Sequence, residues 1–325
     1  MIIFRTEASL KNGFGHLNRS AYLASLLKSK REILFCIDTK NDKTVTRYLQ
    51  EKKWSYCSLK QLKHLEDPPV KSIIFDLRHF KDEDIQLIHR AKTSNWTTIQ
   101  VTDLGLSQQE VDYTIDASID QLFPYSEDKK VLSGPDYAVL HHKFRHFHQA
   151  KRKYRKKIKK VFICLGGGVG YRNLRKVIDM LSRHQPDIKI APGFYLKKSS
   201  QKILRRIYPG IHFVGKTESL ARSFFEADVA LVTPGIAAYE AAATGTPALY
   251  FYSHNEQKFT AASFEKKGVG LEISNINDVS PVNVIEKMKQ LTLEKRMNMG
   301  SKGKQLVDAK GVYRMIDFFE GHKII

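Results

Sequence analysis

A chain of 325 residues exceeds what one hydrophobic core comfortably organises, so two domains are expected. With 42% hydrophobic and 10% aromatic residues it can fill real cores, which excludes the disordered classes, and no apolar run reaches the roughly 18 residues a membrane-spanning helix needs. Lys and Arg number 54 against 34 Asp and Glu, and the net charge of +20 draws anions: nucleic acid, anionic lipid or a phosphorylated small molecule.

In chain order, the opening "MIIFRTEAS" reads as a first strand and not as a secretory leader. Further strands are expected at 32–38, 72–77, 97–103 and 111–117, with helices at 16–28, 42–52 and 81–93 between most of them. The pattern then repeats, with strands at 161–168, 187–193, 211–215, 228–235, 247–252 and 269–273. Helices are expected at 171–184, 197–206, 217–226, 236–244, 256–267 and 280–292. Strand–helix alternation means parallel sheets with crossover helices, so the fold class is α/β with two doubly wound, Rossmann-like domains facing a cleft. The basic run "KRKYRKKIKK" at 151–160 marks the boundary, giving domains 1–152 and 153–325. That run reads as a solvated linker, or else as a contact with an anionic membrane surface. It lacks the stacking groups of a nucleic-acid module, so no specific nucleic acid is expected. Cys36, Cys57 and Cys164 lack metal-ligand spacing and read as small thiols of a reducing cytoplasm.

Ligands of doubly wound sheets bind beyond the carboxyl ends of the strands, so the loops there carry the candidates. After the first strand comes "NGFGHLNRS". Gly13 and Gly15 let backbone amides approach a bound group, and His16 opens a helix whose free amides favour an anion and a neutral imidazole. Arg19 follows one turn later on nearly the same face; the plain alternative is a glycine turn with a surface histidine. In the second half, "LGGGVG" offers Gly166 and Gly167 for a phosphate, or merely a tight turn. In "VTPGIAAYEAAATGTP", Thr233 is expected to cap a helix whose first residue is Pro234, with Gly235 keeping its start open. Glu240 is the lone acid of that helix, placed to accept sugar hydroxyls or simply to face solvent. Asp76 and Asp103 end strands on the ligand side and either bind or cap. His141, His142, His146 and His148 cluster without the spacing of a metal site.

The opening "GFGHLNR" together with "GPDYAVLHHKF" and "VTPGIAAYEAAATGTPALYFY" resembles, over nearly the full length, the UDP-sugar hydrolases of pseudaminic acid biosynthesis. The third motif is shared more widely among GT-B enzymes, including the N-acetylglucosaminyl transferase of peptidoglycan synthesis. The resemblance implies a GT-B architecture with UDP held mainly by the C-terminal domain. It implies Glu240 on the ribose hydroxyls, Gly235 and Ile236 near the diphosphate, and His16 as the base that activates water or an acceptor hydroxyl. Glu256 and Gln257 fall where the family has an Asn-Gln pair. Arg78 and Val169 replace residues the family uses, so the scaffold is kept while the shell around the sugar changes.

The expected activity is hydrolysis of a UDP-linked amino sugar, with transfer to an acceptor as the alternative and nucleotide-sugar binding without catalysis as a third reading. No metal or other cofactor is expected, since amides and cations already make UDP a good leaving group. His16 and Glu240 should line opposite walls of one pocket.

Overall fold

The computed structural model describes residues 1–9, 13–39, 42–64, 69–103, 110–121, 125, 130–166, 169–182, 187–193, 196–215 and 219–325. Two compact units emerge, Met1–Val139 with Lys310–Ile325, and Leu140–Ala309.

The first unit is built on strands β1 (Ile2–Thr6), β2 (Ile33–Cys36), β3 (Ser55–Cys57), β4 (Ser72–Asp76), β5 (Thr97–Thr102), β6 (Tyr113–Asp116) and β7 (Lys130–Ser133). All neighbours are parallel, in the order β3-β2-β1-β4-β5-β6-β7. The strand order reverses between β1 and β4, the position where such sheets open a crevice. β1 is buried at all five residues, because helices cover both faces of a parallel sheet. Ile2 and Phe4 join one core and Ile3 the other. Arg5 shares the face of Ile3. Burial alone would lower its pKa, but its Nε on Asp84 Oδ1 at 2.7 Å and Nη2 near Asp38 at 3.3 Å reverse that and raise it.

The second unit carries β8 (Lys160–Cys164), β9 (Asp187–Ile190), β10 (Ile211–Phe213), β11 (Val229–Val232), β12 (Ala248–Tyr252) and β13 (Gly270–Asn275). Again all pairs are parallel, in the order β10-β9-β8-β11-β12-β13, with the reversal between β8 and β11. All three cysteines are buried, Cys36 directly opposite Cys57 across β2 and β3. No helix among the described residues is long and apolar enough to cross a membrane.

The expected break at 152/153 falls inside the second unit, and the basic run is more than a solvated linker. Arg152 donates to the carbonyls of Phe225, Thr244 and Ala227 and to Thr246 Oγ1. Tyr154 Oη bonds the Gly245 carbonyl at 2.9 Å, and buried Arg296 holds the carbonyls of Arg155 and Lys156. Charge blocks read as solvated only when their donors lack buried acceptors, and here helix and strand ends supply them. Upstream, Phe144 of helix His142–Gln149 packs on Phe224 with ring centroids 6.2 Å apart, fixing that segment to the same unit.

The last helix, Gly311–Gly321, returns to the first unit, where Val312, Met315 and Phe319 complete the core around Phe4 and Phe35. It can do so because residue 311 has no side chain: a Cβ there would lie 2.4 Å from the Ala138 carbonyl oxygen and 2.6 Å from the Tyr137 carbonyl carbon. Both obstacles are backbone, so Gly311→Ala should destabilise the first unit by about 1–3 kcal/mol through overpacking. Thermal unfolding checks this, and an unchanged midpoint would mean that the helix docks otherwise.

Candidate functional site

Helix Gly15–Leu27 starts directly behind β1, with Phe14 in the cap position and no side-chain cap on its first amides. Gly13 takes a positive φ of 83°, closing a short bridge with Ser9, and a Cβ on Gly15 would meet nothing within 4 Å. Positions 16, 19 and 20 fall on one face of the helix, since residues three and four apart stack. That face meets the last residue of β4, Asp76.

The Asp76 carboxylate is buried and fully engaged. Its Oδ1 accepts from His16 Nδ1 at 2.7 Å and Arg19 Nη2 at 2.5 Å, and its Oδ2 accepts from Arg19 Nε and Ser20 Oγ, each at 2.9 Å. The third arm of Arg19 reaches Asp103 Oδ1 at 3.0 Å, just past β5. Arg19 and Asp76, both candidates for the substrate site, are bonded to each other, and Arg19 also to Asp103. Burying an ion pair demands that both groups be satisfied internally. His16 is the most accessible of the four, with its side chain 21% exposed against 10% for Asp103.

Burial opposes the charged forms of these groups, but the neighbouring charges outweigh it. Asp76 is held well below the usual carboxylate range by Arg19 and His16, and Arg19 is raised by Asp103 and Asp76. For His16, burial lowers the pKa and the Asp76 charge and hydrogen bond raise it, with a net rise above the ordinary 6.5. This corrects the expectation of an imidazole driven neutral by the helix start: a full carboxylate at 2.7 Å outweighs the half charge of a helix terminus. An acceptor on Nδ1 also fixes the tautomer. The neutral ring carries its proton toward Asp76 and leaves Nε2 as the acceptor.

Beyond Asp103, the end of β6 holds Asp116, which accepts from Ser118 N at 2.9 Å, Ser118 Oγ at 2.7 Å and Tyr125 Oη at 2.5 Å. Ser20, Asp116 and Tyr125 were not singled out in the sequence. Ser20 was within reach of helix periodicity, but the tyrosine lies in a loop with no pattern.

In the second unit, the loops after β8 and β11 converge. Gly166 has φ +67°, and a Cβ on it would lie 3.2 Å from Thr233 Oγ1. Gly167 lies outside the described residues. The following helix runs Ile236–Ala243, within the expected 236–244, with Gly235 in the cap position and no side-chain cap, so Pro234 is not its first residue and Thr233 does not cap it. A residue without a side chain there leaves the first amides of the helix, from Ile236 onward, open to a ligand. Glu240 stands one turn further in, close enough to β8 that its charge adds to the rise burial imposes on the Cys164 thiol. No hydrogen-bond partner for its carboxylate is found among the described residues, and burial pushes its pKa up to about 8.

Glu256 and Gln257 open helix Asn255–Lys266 behind β12. Both turn back on their own loop: Glu256 Oε2 meets His254 Nδ1 at 2.8 Å, and Gln257 Oε1 accepts from Ser253 N at 3.0 Å and Ser253 Oγ at 3.1 Å. Arg78 receives its backbone contact from Glu7, whose Oε1 accepts from Arg78 N at 2.8 Å, and Val169 packs at the edge of the second core. Among the described residues no three His, Cys, Asp or Glu side chains group to hold a metal ion.

No family model matches the chain. The spore coat polysaccharide biosynthesis protein SpsG of Bacillus subtilis is 25% identical over 334 aligned positions, covering 95% of this chain and 94% of that protein. Among solved structures, Acinetobacter baumannii MurG superposes with a TM-score of 0.69 at 14% identity, over 98% of this chain and 99% of its own. A UDP-glucosyltransferase from Polygonum tinctorium gives a TM-score of 0.69 at 12% identity, over 99% and 98%. Two parallel-sheet α/β units of seven and six strands, matched end to end by such structures, are the GT-B fold.

Proposed function

We propose that the chain is a GT-B glycosyltransferase that uses a UDP-sugar donor in polysaccharide biosynthesis. The observation that carries this reading is the Asp76–His16 hydrogen bond, which leaves Nε2 of a partly exposed imidazole as a proton acceptor at the carboxyl end of the first sheet. The names of the similar proteins support the donor and the setting: a UDP-glucosyltransferase by fold, and a spore coat polysaccharide protein by sequence.

On this reading the second unit holds the nucleotide. The uncapped amides at Gly235 and Ile236, with the turn at Gly166, neutralise the diphosphate, and Glu240 takes the ribose hydroxyls. Glu256 and Gln257 flank the sugar from the loop behind β12, and Gly13 and Gly15 let it approach the first helix. Arg19 and Asp76 position His16. The acceptor hydroxyl gives its proton to His16 Nε2 as its oxygen bonds the anomeric carbon. The carbon–oxygen bond to the β-phosphate breaks, and its electron pair leaves with UDP. One displacement inverts the anomeric configuration.

Water can take the acceptor's place at the same base, which makes hydrolysis the competing outcome. Purified protein incubated with UDP-hexoses and UDP-amino sugars, with and without surface glycan extracted from the source cells, separates the two. Transfer predicts UDP release that accelerates with glycan and a labelled sugar found in the polymer. UDP release at equal rate without glycan, with free sugar as product, overturns transfer in favour of hydrolysis.

A further inference from the structure

No acidic residue occurs between Asp187 and Glu218, a stretch holding seven Lys and Arg residues. Its centre is the helix Lys198–Ile207, which packs against the edge strand β10 and buries only Leu204. Ile203 and Ile207 are 51% and 44% exposed. Spaced by four residues, they lie on one face, beside Lys202 and Arg206. Arg205 turns the other way, its guanidinium 5.2 Å from the Phe213 ring. Lys198, Lys202 and Arg206 pair with no carboxylate among the described residues; the neighbouring acids Asp187 and Glu226 face His212 and Lys189 instead.

Two adjacent exposed isoleucines ringed by free cations form the pattern of a helix that lies in a lipid headgroup layer, with aliphatic side chains dipping in and cations held at the phosphates. We infer that this helix docks the protein on an anionic phospholipid surface through Ile203, Ile207, Lys198, Lys202 and Arg206. The chain's net charge of +20 adds long-range attraction to the same partner. Single-stranded nucleic acid fits less well, because the helix carries no aromatic residue on which a base could stack. A second copy would bring like charges together. The inference stands apart from the reaction, since none of these residues belongs to the nucleotide or base machinery.

The test is co-sedimentation of the full chain with vesicles of phosphatidylglycerol and phosphatidylcholine in equal parts, against phosphatidylcholine alone and against polyuridylate. Wild type should sediment with the anionic vesicles only, and I203S/I207S and K202E/R206E should each weaken that binding about tenfold or more. Both variants alter exposed side chains, so unchanged unfolding midpoints and UDP affinity confirm that the fold is kept. Absence of vesicle binding overturns the inference, as does wild-type binding by I203S/I207S, which would leave charge alone at work. Preferential binding to polyuridylate, unaffected by I203S/I207S, overturns it in favour of nucleic acid.

Discussion

His16→Ala should lower turnover of the UDP-sugar by about 10²–10⁴ while leaving UDP affinity within a factor of about two. The first half follows from the loss of the one proton acceptor that Asp76 orients, and the second from the place of His16 in the first unit, whereas the residues assigned to the nucleotide belong to the second. Asp76→Asn cuts deeper into the fold, because it leaves Arg19 buried with half of its partners gone, and removing one member of a buried ion pair costs about 3–5 kcal/mol. His16→Ala is therefore the cleaner variant. Steady-state rates of UDP release and calorimetric titration with UDP check both halves. A variant that turns over at the wild-type rate removes His16 from the chemistry.

Glu240→Gln should make the protein more stable at alkaline pH and worse at binding UDP. In the folded chain burial raises the Glu240 pKa from 4.5 to about 8. Between those values the folded state holds a proton that the unfolded state has released, so this residue's contribution to stability falls as pH rises through that window and stays low above it. An uncharged amide of the same shape escapes that penalty. The gain should be absent near the ordinary glutamate pKa and reach the order of 1 kcal/mol, or about 2–4 °C, on the alkaline side. For binding the sign reverses: ribose hydroxyls donating to an ionised carboxylate are charge-assisted bonds, and their loss should weaken UDP about ten- to hundredfold. Binding of 2′-deoxy-UDP supplies the control. Wild type should lose affinity for it, whereas Glu240→Gln should scarcely distinguish it from UDP. Equal affinity of the two proteins for UDP would place the ribose elsewhere.

Much of the fold was legible because central parallel strands are buried on both faces and read as apolar runs, as in β1, β4, β8 and β11. The edge strands β3 and β7 were missed for the complementary reason: Ser55, Tyr56, Lys130 and Ser133 are exposed, and these strands form by backbone pairing on one side only. The helices Leu293–Leu306 and Gly311–Gly321 were passed over because no strand separates them, so the alternation that marked the others stops. In the site, His16 and Arg19 share a helix face by simple periodicity, and Asp76 is marked by its place at a strand end. What periodicity could not convey is where a charge is spent. Arg5, Arg19, Arg152 and Arg296 look like surface cations in composition, yet each is held by buried carboxylates or carbonyls. Their partners are distant in sequence, 79 residues for Arg5 and Asp84 and 57 for Arg19 and Asp76.

The same limit explains the charge state of His16. Its position on the helix was visible, but the carboxylate that sets its pKa comes from β4, 60 residues away. That raised pKa has a sign in stability as well: the His16–Asp76 contact supports the fold fully below the ordinary histidine pKa and loses its ionic part as pH rises through the elevated value. Catalysis as proposed runs the opposite way, since only the deprotonated ring can accept the proton.

The rate of UDP release at saturating donor, kcat, measured from acid to alkaline pH in wild type and in His16→Ala, therefore tests the central claim most directly, because bound donor holds Glu240 ionised and leaves His16 as the group that titrates. The dyad predicts a wild-type rate that climbs through a single ionisation above about 6.5 and a variant whose residual rate lacks that climb. A wild-type rate independent of pH, or the same climb in the variant, contradicts it.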